Sequence, residues 1–198
     1  PILQKKMIKT GTRKGKPVIT ATQMLDSMIK NPRPTRAEAT DVANAIYDGT
    51  SAIMLSGETA AGKYPLEAVK TMAAIAKRTE SDINYFGRSQ EVISSIRLGI
   101  GGATAHAACT TAQDLNASAI ITMSTSGVTP RLVSRFRPDC PIIACVLDEK
   151  VQRQLALTWG VTPIIMNYVD STDEMMDNAV ANCIYLAAFG VVAVRAVA

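Results

Sequence analysis

The stretch from residue 16 to residue 69 constrains the fold of this 198-residue chain more than any other part of it. Two short apolar runs, residues 18–20 and 52–55, each end in small polar residues and lead into a segment with helical character. A strand–loop–helix unit that occurs twice in succession is typical of a parallel sheet covered by helices. The chain is therefore predicted to be an α/β protein whose polar loop residues follow the carboxyl ends of its strands.

The composition argues against several classes of protein. The 21 basic and 17 acidic residues give a net charge of +4, but the basic residues form no run and hardly alternate with aromatic ones. Nucleic-acid binding is therefore not expected. No apolar run approaches the roughly 20 residues that a membrane-spanning helix needs, and the first residues lack the apolar region of a signal peptide. A cytoplasmic protein without a membrane partner is predicted.

The metal-binding residue types are few and badly spaced for a metal site. The chain has a single histidine, His106, and four cysteines, which contain no CxxC pair: Cys109, Cys140, Cys145 and Cys183. This spacing does not favour zinc, and free thiols in a reducing compartment are predicted instead.

Further elements follow from capping and turn residues. Helices are predicted at residues 2–14 and 23–29, after the capping pair Thr35 and Glu38, and from Pro65 to about Asn84. The composition changes near residues 85–89, where Gly87 is expected to interrupt the helical pattern, and this places a domain boundary after Arg88, which gives two domains, residues 1–88 and 89–198. In the second domain a helical stretch at residues 91–114 precedes alternating strands (119–123, 142–146, 161–165, 191–194) and helices (129–136, 150–158, 172–188). Because the chain begins without methionine and ends in an apolar run, we expect it to be a piece of a larger protein.

Hydroxyl groups follow both strands of the first domain. The first strand is predicted to end in residues 20–23 with side chains that alternate in direction, so Thr20 and Thr22 point to the same face, where a hydroxyl can donate to a carboxylate or relay a proton. The alternative is that both threonines reflect strand propensity or helix capping. Ser56 and Glu58 follow the second strand in the same way, and N-capping of the next helix is their alternative. Two arginines in the proline turn either pair with anions or are simply solvated: Arg33 and Arg36.

Two loops suggest phosphate chemistry. Residues 57–63 match the first seven positions of a nucleotide-binding P-loop, but Tyr64 replaces the hydroxyl residue that ligates Mg²⁺ and Pro65 lacks an N–H group. A strand-to-helix loop that shares only the spacing is favoured over a P-loop. The second loop is rich in hydroxyls and precedes a helix, an arrangement that suits a phosphate or a simple cap: Ser124, Thr125, Ser126, Gly127, Val128 and Thr129. Arg131, Arg135 and Arg137 could add positive charge nearby, but helical spacing is expected to scatter them around the axis.

Residues 19–69, ITATQMLDSMIKNPRPTRAEATDVANAIYDGTSAIMLSGETAAGKYPLEAV, resemble the pyruvate kinase signature nearly position for position. Residues 124–138, STSGVTPRLVSRFRP, followed by PIIACV, resemble the C-terminal domain of the same family. The resemblance implies that residues 1–88 are the end of a (β/α)₈ barrel with its last two βα units, and that residues 89–198 are an open α/β domain for assembly and allostery, incomplete at its end.

The family transfers phosphate from phosphoenolpyruvate to ADP with Mg²⁺ and K⁺, as cytosolic tetramers. By resemblance, Thr22 contacts the substrate and helps to protonate the enolate, and Ser56 belongs to the proton relay or the nucleotide side. The hydroxyl-rich loop, residues 124–129, would hold a sugar-phosphate or nucleotide effector.

The sequence also departs from the family pattern. The family's catalytic lysine and the metal-binding Glu and Asp of a MARGDLG-like segment have no counterpart here, so the chain alone is predicted to be inactive and to bind no cofactor. Val128 stands where some regulated relatives carry a basic residue. Val128 thus weakens the case for one particular effector. The hydroxyl-rich loop at residues 124–129 makes a non-catalytic phosphate-binding or assembly module the alternative function, and a P-loop NTPase is the weakest one.

Overall fold

The chain forms two compact units, and the computed structural model describes residues 2–94 and 97–188. The units are Pro1–Asn84 and Tyr85–Ala198, so they divide slightly before the predicted boundary at Arg88. The assignment of residues 1–88 and 89–198 to two domains of a larger protein stays a prediction.

The N-terminal unit contains two consecutive βα units preceded by a helix. Its elements are α1 (Ile2–Arg13), β1 (Ile19–Thr20), a 3-10 helix (Asp26–Ile29), α2 (Arg36–Tyr47), β2 (Ala52–Ile53), α3 (Gly57–Ala60) and α4 (Pro65–Glu80). The strands pair in parallel, with Ile19 opposite Ala52 and Thr20 opposite Ile53. This arrangement matches the strand–loop–helix repeat that the sequence predicts.

Helix α2 begins at the predicted capping box. The side chain of Thr35 accepts from the backbone N–H of Glu38, and the Glu38 carboxylate accepts from the backbone N–H of Thr35. Two otherwise unpaired donors are thereby satisfied where the proline turn ends. Helices α2 and α4 then pack the core of this unit, which consists of the buried residues Met24, Leu25, Met28, Val42, Ala45, Ile46, Ala68 and Met72.

The C-terminal unit is a parallel sheet with helices on both faces. Its elements are α5 (Tyr85–Ser94), α6 (Ile100–Asp114), β3 (Ile120–Met123), α7 (Val128–Ser134), β4 (Ile142–Val146), α8 (Glu149–Leu155), β5 (Val161–Ile165) and α9 (Thr172–Ala188). The strand order is β3-β4-β5 and both pairings are parallel.

Strand β4 is buried at every position, which explains its unbroken apolar sequence. Ile142, Ala144 and Val146 belong to the cluster formed with α6 and α7. Ile143 and Cys145 lie on the other face, in the clusters that include Cys183 and Ala179 of α9. The helices on the two faces thus remove the middle strand from solvent.

Within the described residues, β5 forms one edge of this sheet. Pro163 lies opposite Ala144 in the ladder. The carbonyl of Gly160 and the N–H of Met166 form hydrogen bonds with the backbone of β4. The even-numbered residues of this segment therefore direct their backbone N–H and C=O groups toward β4, and the odd-numbered ones direct theirs away from it. Pro163 therefore faces away from β4, where its missing N–H costs no ladder bond.

Several predicted elements differ from the structure. The helix predicted at residues 23–29 is a 3-10 turn confined to Asp26–Ile29, and α4 ends at Glu80 rather than near Asn84. Gly87 does not interrupt the helical pattern, because α5 continues through this residue. The stretch at residues 91–114 is two helices rather than one, separated before Ile100. The strand predicted at residues 191–194 lies outside the described residues.

Two glycines in the first turn of α6, Gly101 and Gly102, allow close packing. A Cβ added at Gly101 would lie 3.2 Å from Cδ1 of Leu132, and one added at Gly102 would lie 3.1 Å from Cδ2 of Leu98. The first turn of α6 therefore approaches its neighbours more closely than an alanine would allow.

In the described part of the chain, none of the helices is both long enough and apolar enough to span a bilayer.

Candidate functional site

Thr22 and Ser56 follow the carboxyl ends of the two paired strands of the N-terminal unit. Because β1 and β2 are parallel and in register, their downstream loops emerge at the same edge of the sheet. Both side chains are exposed. The topology thus brings the two residues predicted to act in catalysis to one edge, while residues 124–129 belong to the other unit.

Thr20 does not share this position. Its hydroxyl donates to Oγ1 of Thr50 at 2.9 Å, and Thr50 is only 6% exposed. The prediction that Thr20 and Thr22 face the same way assumed an extended backbone through Thr22, but the strand ends at Thr20. Thr20, the last residue of β1, therefore bonds to the segment that precedes β2.

The backbone at Thr22 is left-handed. Its φ is 71°, and the next residue, Gln23, has a φ of 52°. A β-branched side chain is unfavourable in this region, and such conformations cost about 1–3 kcal/mol each. The loop after β1 therefore holds Thr22 against its own backbone preference.

Glu58 lies buried between the two loops and is 2% exposed. Its Oε1 accepts from the backbone N–H of Leu25 at 3.0 Å, and its Oε2 accepts from the backbone N–H of Ser56 at 2.7 Å. Burial alone would raise the pKa of this carboxyl group, but hydrogen bonds from the backbone of Glu58 itself, Leu25 and Ser56 outweigh burial and lower the pKa. Glu58 is thus an ionised carboxylate that bonds to both loops.

N-capping does not account for Ser56. Ser56 occupies the N-cap position of α3, but its side chain makes no capping hydrogen bond. The capping alternative for Ser56 is therefore not observed. The sequence predicted that Glu58 lies in the same loop as Ser56, but it did not predict the hydrogen bond that Glu58 accepts from the N–H of Leu25. The usable signal was an acidic side chain between two glycines, Gly57 and Gly62, at the start of a helix.

The glycines of residues 57–63 pack two loops together. A Cβ added at Gly62 would overlap the carbonyl oxygen of Glu58 and lie 3.3 Å from Cα of Ile29. The backbone N–H of Lys63 donates to the carbonyl of Ile29 at 2.8 Å. Close contact with the 3-10 helix therefore accounts for the glycine spacing that resembles a P-loop.

Arg33 and Arg36 are both exposed in the proline turn. The ion pairs seen in the described part of the chain join Lys5 to Asp48 and Arg153 to Glu149. A role for Arg33 and Arg36 toward an anion stays a prediction.

The hydroxyl-rich loop lies between β3 and α7. Gly127 has a φ of 75°, and its N–H donates to Oγ of Ser124 at 2.9 Å. Four of the six side chains predicted to hold an effector are exposed in this loop: Thr125, Ser126, Val128 and Thr129.

Arg131 reaches this loop through its guanidinium. Nη1 of Arg131 donates to the carbonyl of Ser126 at 3.2 Å, and Nη2 donates to Oε1 of Gln154 at 3.4 Å. The guanidinium of Arg137, by contrast, stacks over the ring of Trp159 at 4.5 Å and is buried. Arg137 follows the end of α7 and therefore lies in different surroundings from Arg131.

The donor set does not fit Mg²⁺ within the described residues. No group of three or more His, Cys, Asp or Glu side chains in residues 2–94 and 97–188 is arranged to hold a metal ion. Mg²⁺ prefers carboxylates and phosphate oxygens, and the Glu58 carboxylate, which lies between the loops after β1 and β2, already accepts from two backbone N–H groups.

Two family models match the chain. The model described as pyruvate kinase, barrel domain, matches residues 1–69, and the model described as pyruvate kinase, alpha/beta domain, matches residues 102–192.

Curated relatives and solved structures agree with these models. The pyruvate kinase of Clostridium acetobutylicum is 54% identical over 180 residues, which are 91% of this chain and 38% of that protein. The pyruvate kinase of Geobacillus stearothermophilus is 55% identical over 184 residues, 91% of this chain and 31% of that protein. A crystal structure of a pyruvate kinase from Cryptosporidium parvum superposes with a TM-score of 0.90 at 42% identity, covering 93% of this chain and 38% of that one.

The chain therefore spans only 31–38% of the length of these curated relatives. The predicted fold class, a barrel segment followed by an open α/β domain, is confirmed by the parallel sheets and these matches.

Proposed function

Since this chain belongs to the pyruvate kinase family, we propose that it is the closing part of a glycolytic enzyme that transfers phosphate from phosphoenolpyruvate to ADP. Residues 1–88 would complete a catalytic barrel, and residues 89–198 would form its C-terminal domain. The observation that carries the proposal is the placement of Thr22 and Ser56 at the same edge of two parallel strands, where such barrels place their chemistry.

Thr22 is the residue proposed to act on the substrate. Phosphoryl transfer from phosphoenolpyruvate leaves an enolate, which becomes pyruvate when its carbon accepts a proton. An exposed hydroxyl held in a fixed loop can contact the substrate and help to deliver that proton. Ser56, on the neighbouring loop, would belong to the same proton relay or contact the nucleotide.

The chain alone is proposed to be inactive. In this family the cations Mg²⁺ and K⁺ and a lysine neutralise the charge of the transferred phosphoryl group, and this electrostatic stabilisation supplies most of the catalysis. The ligands for these cations would come from the rest of the larger protein. The proposed assembly is a cytoplasmic homo-oligomer, a tetramer in the family.

A replacement experiment tests this function. In the pyruvate kinase of Clostridium acetobutylicum, this chain would replace the segment that it matches, and pyruvate formation would be followed in a coupled assay. We expect turnover by the chimera and none by the chain alone. Thr22→Ala in the chimera should lower kcat by about 100-fold or more, whereas Thr40→Ala, an exposed change on α2, should leave kcat unchanged.

Two results would contradict the proposal. One is turnover by the isolated chain near that of an intact enzyme. The other is a folded chimera that forms no pyruvate although the unmodified Clostridium enzyme does so in the same assay.

A second candidate function is phosphate binding by residues 124–129. The exposed hydroxyls of Thr125, Ser126 and Thr129 and the guanidinium of Arg131 near Ser126 favour it. We expect calorimetry to detect binding of a sugar phosphate or nucleotide that Ser126→Ala weakens and Ser94→Ala, on α5, does not. Binding that Ser126→Ala leaves unchanged would remove this loop from consideration.

A further inference from the structure

We propose that Glu58 is a positioning residue, whose single buried carboxylate sets the positions of Thr22 and Ser56 relative to each other. The proposal rests on the proposed function, since it concerns the two residues assigned to catalysis. It adds a residue that would touch neither substrate nor metal and would act only through backbone N–H groups.

The first argument is the match between donors and acceptors. One oxygen of Glu58 accepts from the N–H of Leu25 and the other from the N–H of Ser56. A carboxylate offers acceptors on both oxygens, whereas the amide of Gln offers an acceptor on one side and donors on the other. Only an acidic side chain can therefore bond to both loops at once.

The second argument is the close packing around this carboxylate. A Cβ added at Gly57 would lie 3.1 Å from Cδ1 of Ile29, and Gly62 admits no Cβ without movement of the backbone. Lys63 is bonded to the carbonyl of Ile29. The loop after β2 is therefore seated on the 3-10 helix, so a displaced Glu58 carboxylate would move both loops.

The third argument is the strained backbone of Thr22. Two consecutive left-handed residues, Thr22 and Gln23, persist only where their surroundings over-determine the conformation. Two contacts lie immediately downstream: Met24 and Leu25 are buried, and the N–H of Leu25 is bonded to Glu58. The bond to Glu58 is the polar part of this restraint and connects it to the loop of Ser56.

The test is Glu58→Gln in the full 198-residue chain, studied by NMR. The ¹³Cα and ¹³Cβ shifts of Thr22 and Gln23 report whether their backbone stays left-handed, and hydrogen exchange reports the bonds of Leu25 and Ser56. We expect exchange at one or both amides to become about tenfold faster or more. We also expect the Thr22 shifts to move toward extended values while the chain stays folded. Glu67→Gln, the same change at an exposed position of α4, should alter neither.

A purely structural role predicts a different result. Glu58→Gln would then lower the resistance to urea but leave the folded-state shifts of Thr22 and the protection of both amides unchanged, and this outcome would overturn the proposal. If Glu58→Gln does not fold, Glu58→Asp keeps the charge but is one methylene too short to reach both donors. It should lose one of the two protected amides, and full protection of both would equally overturn the proposal.

The two proposals fail separately. The NMR measurements need no turnover, so an inactive chimera would refute the proposed function and leave the role of Glu58 in the loops intact. In an active chimera, Glu58→Gln should lower kcat more than it changes KM, because the hydroxyls would be displaced without loss of the groups that bind substrate.

Discussion

Thr22 combines an exposed hydroxyl with a backbone conformation that glycine adopts far more readily than threonine. A residue selected only for stability would not be β-branched at a φ of 71°. Strain of this kind is a feature of sites where geometry serves chemistry. It is also directly measurable, because the strain disappears when the Cβ is removed.

We expect Thr22→Gly to be more stable than Thr22→Ala by about 1 kcal/mol, because glycine avoids the left-handed penalty and this exceeds its greater freedom in the unfolded chain. Both variants lack the hydroxyl, so its loss cancels in the comparison. Urea denaturation measures the difference. At Thr40, within α2, the order should be reversed, with Ala more stable than Gly. If the alanine variant were more stable than the glycine variant at both positions, Thr22 would not be strained.

The ionised carboxylates of the N-terminal unit predict how its stability depends on acid. For Glu58 and Glu38, hydrogen bonds outweigh burial and lower the pKa below the ordinary value of 4.5. The unfolded chain then binds these protons more readily than the folded chain, so the free energy of unfolding rises with pH. The stabilisation is complete above the ordinary pKa and is lost as the pH falls through the lowered folded pKa values.

Between about pH 5 and pH 3, the free energy of unfolding of Glu58→Gln should therefore fall less steeply than that of Glu67→Gln. Urea denaturation at a series of pH values measures both slopes. Parallel curves for the two variants would contradict an ionised, hydrogen-bonded Glu58.

At the scale of elements, the beginning of α2 depends on one side chain. The capping box of Thr35 satisfies donors that the proline turn leaves open. Thr35→Ala should lower the free energy of unfolding by about 1 kcal/mol, measured by urea denaturation. Thr40→Ala, the same replacement inside α2, should be neutral or slightly stabilising because alanine favours the helix. Equal effects at the two positions would mean that the cap contributes little.

Elements with local signals could be predicted from the sequence with accuracy. β4, β5 and α9 have the bounds that were predicted, 142–146, 161–165 and 172–188, because apolar runs and turn residues define them locally. The interruption expected at Gly87 was wrong, since a helix tolerates one glycine at a cost of about 1 kcal/mol, which tertiary packing can offset. The division of residues 91–114 into two helices was not predicted either, and the close approach of Gly101 to Leu132, about 30 positions away, is a contact that no local pattern contains.

The candidate site also has features that the sequence predicts and features that it does not. The positions of Thr22 and Ser56 after paired strands follow from the βα repeat. The hydrogen bond from Thr20 to Thr50 and the one from Leu25 to Glu58 join residues about 30 positions apart. Such bonds exist only after the strands have paired, so the sequence pattern could not reveal them.

At the scale of the whole molecule, the N-terminal unit carries two strands of a sheet that needs more strands for independent stability. Leu3 and Met7, one turn apart on α1, are 72% and 64% exposed, and Ile19 of β1 is 47% exposed. Large exposed apolar side chains of this kind favour association.

We therefore expect light scattering to give a mass above that of a single chain, rising with protein concentration. Leu3→Gln combined with Met7→Gln should lower this mass by removing apolar area. Lys6→Gln combined with Lys9→Gln, on the same helix, should not lower it. A monodisperse monomer at every concentration would contradict this prediction.

Pro163 affects whether other chains can pair with the edge of the C-terminal sheet at high protein concentration. An open strand edge offers alternating N–H and C=O groups to any extended segment that meets it. At the outer side of β5, Pro163 removes one donor, and Nε2 of Gln152 donates to the Pro163 carbonyl at 3.4 Å and so engages the acceptor beside it. The middle of this edge is therefore a poor template for a foreign strand, and the C-terminal sheet is protected there against growth into fibrils.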